Sequence, residues 1–334
     1  MGKNLGPRAL PLALVFCTAA AFAQDACKSS SVDAGAKGHL ERAACWARLG
    51  EFDEALQDVN AALRLDPGNA LAWQARGELA ARAGRHREAL ADYSEAVRRD
   101  ATNIAARHGR ASSLALLDEA ERAIEEFDEV LRQDPRYAPA YLGRGEAHAR
   151  AGRHERALAD YERYIAAAPA DGYARFRRGV SLARLKNVKS SIEELSEAIR
   201  LEPRLVSAYV ERGRAFVQAG EPARAVADFA EAVTLAPRFA IAHNELAWLL
   251  ATHSGTGIRD GRRAVEHART AAELANWANA AFLDTYAAAL AEAGDFAQAV
   301  KWQAEAVSRF AGAARSGAQA RLELYQQGRA FRSP

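Results

Sequence analysis

Small and apolar residues recur along this chain at helical spacing, and the whole pattern returns every 34 residues. The stretch from Ala70 to Asn103 shows it clearly. Trp73, Gly77 and Ala80 fall three or four positions apart, which marks one face of a helix over Leu71–Arg82. Gly84 follows as a stop, since a residue just past a helix end is often left-handed. Ala89, Tyr93 and Ala96 then mark the inner face of a second helix over His86–Arg99. Small residues at 77, 89 and 96 let neighbouring helices approach closely. Proline ends the second helix in most units, because its ring and missing N–H cannot continue one. Pro67, Pro135, Pro169, Pro203 and Pro237 are spaced by 34 residues or a multiple of it, with Ala101 in the one vacant place. Repeats therefore start at Ala36, Ala70, Ile104, Ala138, Gly172, Val206 and Ala240, with an eighth near Ala280 after an insertion. Self-similarity at this period signals a stacked array of supersecondary units.

Tryptophan or tyrosine, glycine, glycine, alanine, aromatic, alanine and proline in a 34-residue frame resemble the tetratricopeptide repeat. The resemblance covers Ala36 to about Ser308. It implies an all-α, right-handed superhelical solenoid of helix-turn-helix units. The first helix of each unit, helix A, would line a concave face that holds an extended peptide or a helix of a partner. The expected division is a signal peptide at 1–23, an N-terminal segment at 24–35, about eight repeats at 36–308, and a capping helix with tail at 309–334.

Residues 1–23 read as a cleavable export signal. Lys3 and Arg8 precede an apolar run from Ala9 to Ala21, and Ala21-Phe22-Ala23 ends it as a cleavage site before Gln24. The expected location is the periplasm or the exterior of a bacterial cell, with no membrane span in the mature chain. Cys17 leaves with the signal, and in an oxidising compartment Cys27 and Cys45 are expected to form a disulfide.

Charge narrows the partners. Without residues 1–23 the chain holds 43 basic and 43 acidic residues. That balance argues against nucleic acid, which requires a basic face.

Two charged places recur in phase. The seventh place of the first six repeats is Arg42, Arg76, Arg110, Arg144, Arg178 and Arg212. The twenty-third is Asp58, Asp92, Glu126, Asp160, Glu194 and Asp228. Both are lost together in the last two repeats, where Leu246, His267, Tyr286 and Trp302 stand instead. Helices folded back on each other bring these places level, which predicts a structural ladder of Arg–carboxylate pairs, within or between repeats.

No catalytic or metal motif emerges. The eight histidines make no H-E-x-x-H, and the insertion Thr252–Gly261 has glycines but lacks the G-K-[ST] of a phosphate loop. No cofactor, metal or enzymatic activity is expected. Ala320–Tyr325 predicts one more helix, a solvating cap of the kind terminal repeats require. Concave positions then give the expected partner site: Arg82 and Arg150, with a centre at Tyr173, Phe176, Arg184 and Arg214, since aromatic and arginine residues carry most interface hot spots. The lysine–asparagine clamp for acidic tails known in this family is absent, for its places hold Leu40, Ala44, Gln74 and Glu78. The functional expectation is a monomeric interaction scaffold or adaptor of the bacterial cell envelope that binds a protein or peptide. A self-assembling repeat protein is the alternative, and a ligand-binding or enzymatic protein a more remote one.

Overall fold

The computed structural model describes Cys27 and residues 35–333. The expected signal at 1–23 and all of 24–34 except Cys27 lie outside the described residues. Within them are 17 α-helices and no strand beyond an isolated bridge between His253 and Ser333.

The chain divides into two compact units, one ending at Arg153 and one beginning at His154. The first unit contains α1 (Gly35–Leu49), α2 (Phe52–Leu65), α3 (Ala70–Arg82), α4 (His86–Arg99), α5 (Ile104–Leu116), α6 (Ala120–Gln133) and α7 (Ala138–Arg150). The second contains α8 (His154–Ala167), α9 (Gly172–Arg184), α10 (Val188–Leu201), α11 (Val206–Gln218), α12 (Pro222–Leu235), α13 (Ala240–Thr252), α14 (Gly261–Leu274), α15 (Ala280–Glu292), α16 (Phe296–Arg309) and α17 (Gly312–Gln326). The final helix is longer than the 320–325 stretch read from sequence, because Gly312 to Ala318 continues the same helix and buries Ala318.

The period in sequence becomes a period in burial. The twentieth place of every repeat is fully buried: Ala55, Ala89, Ala123, Ala157, Ser191, Ala225, Ala264 and Ala299. A larger side chain there would force the paired helices apart. The twenty-fourth place holds the large core residue, such as Tyr93, Phe127 or Phe229. Its ring lies on bare backbone. A Cβ on Gly213 would come within 2.5 Å of the Phe229 ring, so only glycine allows that contact without displacement.

The turn within each repeat needs a left-handed residue. Gly84, Gly152, Gly220 and Gly294 supply it at φ between 72° and 89°, whereas Asp118 and Lys186 adopt it at 62° and 58°. Between α13 and α14 the turn is replaced by residues 253–260. Arg259 pins this insertion by donating to the carbonyls of His253 and Ser254, while Asp260 caps α14 through the Arg263 amide.

Candidate functional site

The first unit carries an open apolar hollow between α1 and α3. Leu40, Ala44 and Ala47 line one side, and Leu71, Ala75 and Leu79 the other, around a cavity of about 400 Å³. The alanines are the cause, since larger residues there would fill it. Lys37, Glu41, Glu78 and Arg82 stand around the rim. Leu71, at the edge of the hollow, is 61% exposed. The structure joins Cys27 to Cys45 with their Cα atoms 5.7 Å apart, which ties an upstream residue to α1.

Charge pairs join the two helices of the repeats. Arg42 donates through Nε and Nη2 to both oxygens of Asp58, at 2.7 and 2.5 Å, and His39 Nδ1 lies 2.8 Å from the same carboxylate. Burial pushes the Asp58 carboxyl up, but the hydrogen bonds from Arg42 and His39 outweigh it and hold the group below its ordinary range. Arg76 and Asp92 make the same two-point contact at 2.8 and 2.6 Å, as do Arg212 and Asp228 at 2.8 Å each. Arg110 reaches Glu126 at 2.6 Å, and Arg178 reaches Glu194 more loosely at 3.3 Å.

Several of these arginines also reach sideways to helix B, the second helix, of the preceding repeat. Arg76 meets Asn60 at 3.4 Å, Arg144 meets Asp128 at 2.6 Å, and Arg212 meets Ser196 at 3.0 Å. The ladder arginine thus bonds both within and between repeats. Asp160 lies on α8, in the other unit from Arg144 on α7.

A second recurrent contact was missed by sequence reasoning. The fourth place of each of six repeats donates to the carbonyl at the proline place just before it. Trp73 bonds Pro67, Arg107 bonds Ala101, Tyr141 bonds Pro135, Arg175 bonds Pro169, Tyr209 bonds Pro203, and His243 lies 3.0 Å from the Pro237 oxygen. The residue types differ, but each is long and ends in an N–H or O–H. In the seventh repeat His243 Nδ1 also lies 3.1 Å from His267 Nδ1. His267 there occupies the place that is acidic in the first six repeats, and its partner comes from the fourth place rather than the seventh.

The sequence-predicted partner residues have mixed fates. Arg82 is exposed, with its guanidinium 5.9 Å from the Phe52 ring. Arg150 is exposed and donates to the Ala115 carbonyl at 2.8 Å. Tyr173 and Arg184 are exposed on α9. Phe176 is a correction: it is 9% exposed and packs with Leu195, Ala198 and Ala208, because its side of α9 faces α10 and α11. Arg214 is half-buried and held by Glu245 and Glu211, each at 2.6 Å, so it is already spent on its own chain. Arg82 and Arg150 belong to the first unit and the other four residues to the second, so the proposed centre on α9 is reduced to Tyr173 and Arg184. The hollow between α1 and α3 was not among the expected partner sites, although Leu40, Ala44 and Glu78, which line it, stand at groove places.

Among the described residues no group of three or more metal-ligating side chains comes together, and no helix is long and apolar enough to cross a membrane.

Comparison places this geometry. No curated protein matches the sequence. The chain resembles in fold a tetratricopeptide repeat protein from Parabacteroides merdae, at 20% identity over 76% of this chain and 98% of that one, with a TM-score of 0.58. It also resembles the APC/C hetero-tetramer Cut9-Hcn1, at 18% identity over 82% and 52% of the two chains and a TM-score of 0.63. PilW, a type IV pilus biogenesis factor, aligns at 19% identity over 60% and 94%, with a TM-score of 0.56. The family model described as tetratricopeptide repeat matches residues 19–70, 47–104, 108–172, 142–204 and 210–255, well over half of the sequence. The chain belongs to the tetratricopeptide repeat family.

Proposed function

We propose that the protein is a non-enzymatic interaction scaffold of the bacterial cell envelope, and that the hollow between α1 and α3 receives an extended peptide or a helix of its partner. Repeats of this family generally serve as protein–protein interaction scaffolds. The observation that carries the site is the apolar cavity of about 400 Å³ beside the exposed Leu71. An apolar centre with a charged rim is the usual anatomy of a protein interface. The envelope assignment rests on the basic and then apolar character of residues 1–23 and on the joined Cys27 and Cys45, which suit an oxidising compartment.

The test is affinity capture from envelope extract with the wild type and with Leu71→Glu. A partner that is held by the wild type and lost by the variant, at unchanged helical circular dichroism, supports the site. Equal capture by both refutes it. A mature N-terminus at Gln24 in the periplasmic fraction supports the location, and an intact Met1 in the cytoplasm overturns it.

A further inference from the structure

After α17 the chain folds back on itself in the manner of a bound peptide. Gly328 turns the backbone after α17 at φ +67°, and the Arg329 amide closes the turn on the Leu324 carbonyl. Residues beyond it run back against α13. The Ser333 amide donates to the Thr252 carbonyl at 2.7 Å, within an isolated parallel bridge. The Phe331 ring lies 5.9 Å from that of Trp248. Arg332 reaches Glu292 at 2.6 Å. One main-chain bond, one aromatic anchor and one charge pair are the elements of extended-peptide recognition.

The seat exists independently of the tail. Glu292 is held by Arg259 at 2.9 Å through its other oxygen. Arg321 lies 5.6 Å from the Trp248 ring and is fixed by the buried Asp284 at 2.8 Å. Trp248 occupies the ninth place of its repeat, one of the positions on the helix A groove face. The seat therefore stays formed when the tail leaves. The tail itself is loosely held, for no residue from Gln327 to Ser333 is buried. Beside Ser333 an open cavity of about 300 Å³ continues along Trp248, Leu249, Val217 and Arg214, and Val217 is 44% exposed. A bound peptide has room to extend along this cavity.

We infer that the helix A face around Trp248 is a recognition surface for an extended partner segment that carries an aromatic residue followed by an arginine, and that the C-terminal tail is its resident competitor. The aromatic side chain takes the place of Phe331 on Trp248 and Arg321. The arginine pairs with Glu292, and the partner backbone takes the Thr252 carbonyl. This surface lies in the second unit and does not depend on the α1–α3 hollow, so Leu71→Glu leaves it intact.

The test uses a labelled peptide, Gly-Arg-Ala-Phe-Arg-Ser-Pro, and fluorescence anisotropy. A tethered competitor acts at an effective concentration of about 1 mM, so a tail of about 0.1 mM intrinsic affinity weakens a rival about tenfold. The chain ending at Gln327 is expected to bind the peptide about tenfold more tightly than the full chain. Phe331→Ala in the full chain gives the same gain without a truncation and covers the case in which the shorter chain fails to fold. Within either opened form, Glu292→Gln or replacement of the peptide phenylalanine by alanine should remove most of the binding. Equal binding by the full and opened chains, or no binding by an opened chain that is folded, overturns the inference. A tail-dependent dimer in light scattering also overturns it, since the seat would then belong to the tail of a second copy.

Discussion

Removing the Arg212 guanidinium should unfold the sixth repeat at a distinctly lower temperature. Arg212 meets both oxygens of Asp228 at 2.8 Å and Ser196 at 3.0 Å, and its guanidinium lies within 6 Å of the Tyr209 and Phe216 rings. Only 9% of the Asp228 side chain is exposed, against 19% of Arg212. Arg212→Met keeps the stem that covers the rings but leaves a buried carboxylate unpaired. Breaking a buried pair from one side costs about 3–5 kcal/mol. Partial exposure of Arg212 admits some water, so the expected loss is about 2–3 kcal/mol. Ser196 is not stranded, because its hydroxyl also donates to the Ile192 carbonyl at 2.6 Å. In a unit of this size the loss corresponds to a fall of about 5–10 °C in Tm. The double variant Arg212→Met with Asp228→Leu removes the stranded charge and should recover to within about 1 kcal/mol of the wild type. Thermal unfolding by circular dichroism measures the cycle, and hydrogen exchange in α11 and α12 locates the loss if the array melts in stages. A single variant as stable as the wild type refutes the reasoning, as does a double variant whose loss equals the sum of the singles.

Three further outcomes are expected. Lys186→Gly should raise stability by about 0.5–1 kcal/mol, because a left-handed lysine at φ 58° costs more than glycine loses in chain freedom; an unchanged or lower urea midpoint contradicts this. Gly213→Ala should destabilise by about 1–2 kcal/mol although alanine favours helices, since its Cβ would press on the Phe229 ring; a more stable variant refutes the close-packing account. Burial, the neighbouring His243 and Arg263 hold the His267 pKa below its ordinary 6.5. A depressed value favours the neutral ring in the folded state, so this stability is complete above about pH 6.5 and is lost as pH falls through the folded pKa. Tm should therefore drop between pH 7 and 5, and His267→Gln should flatten that slope; an identical slope in the variant argues against the histidine pair as its source.

What recurs at the 34-residue period as one residue type was legible in the sequence, and what recurs only as a geometric role was not. Alanine at the twentieth place announces two close helices because steric demand leaves few other residues. An arginine and an acid in phase announce a charge pair for the same reason. The fourth-place donors escaped notice because tryptophan, arginine, tyrosine and histidine share a geometric role and no chemical class. Phe176 was misread because helix numbering assigns the fifth place to the groove, whereas that side of α9 is covered by its neighbours. The seat of Phe331 is invisible to any periodic reading, for the tail lies beyond the last repeat and meets Trp248 through a fold-back. Its cue is the Gly-Arg-Ala-Phe-Arg ending, an aromatic between two arginines after a glycine turn.

The loss of the ladder in the last repeats follows from what must be covered there. In the sixth repeat, Arg212 and Asp228 join the two helices of one repeat, and Ser196 links them to the repeat before. Among the described residues the eighth repeat is followed by α17, against which it packs. Its polar contact moves accordingly. Asp284 on α15 receives Gln303 from α16 at 2.6 Å and Arg321 from α17 at 2.8 Å. One buried carboxylate thus binds both helices that close the array. Arginine serves here because its planar head can make an ion pair at one edge while aromatic rings pack beside it. The Trp248 and Phe331 rings, themselves 5.9 Å apart, lie 5.6 and 5.5 Å from it on one side. The residue that fixes the cap is therefore the one that shapes the tail seat. Folding the cap builds the recognition surface without a separate ordering step, and it keeps that surface rigid while its occupant exchanges.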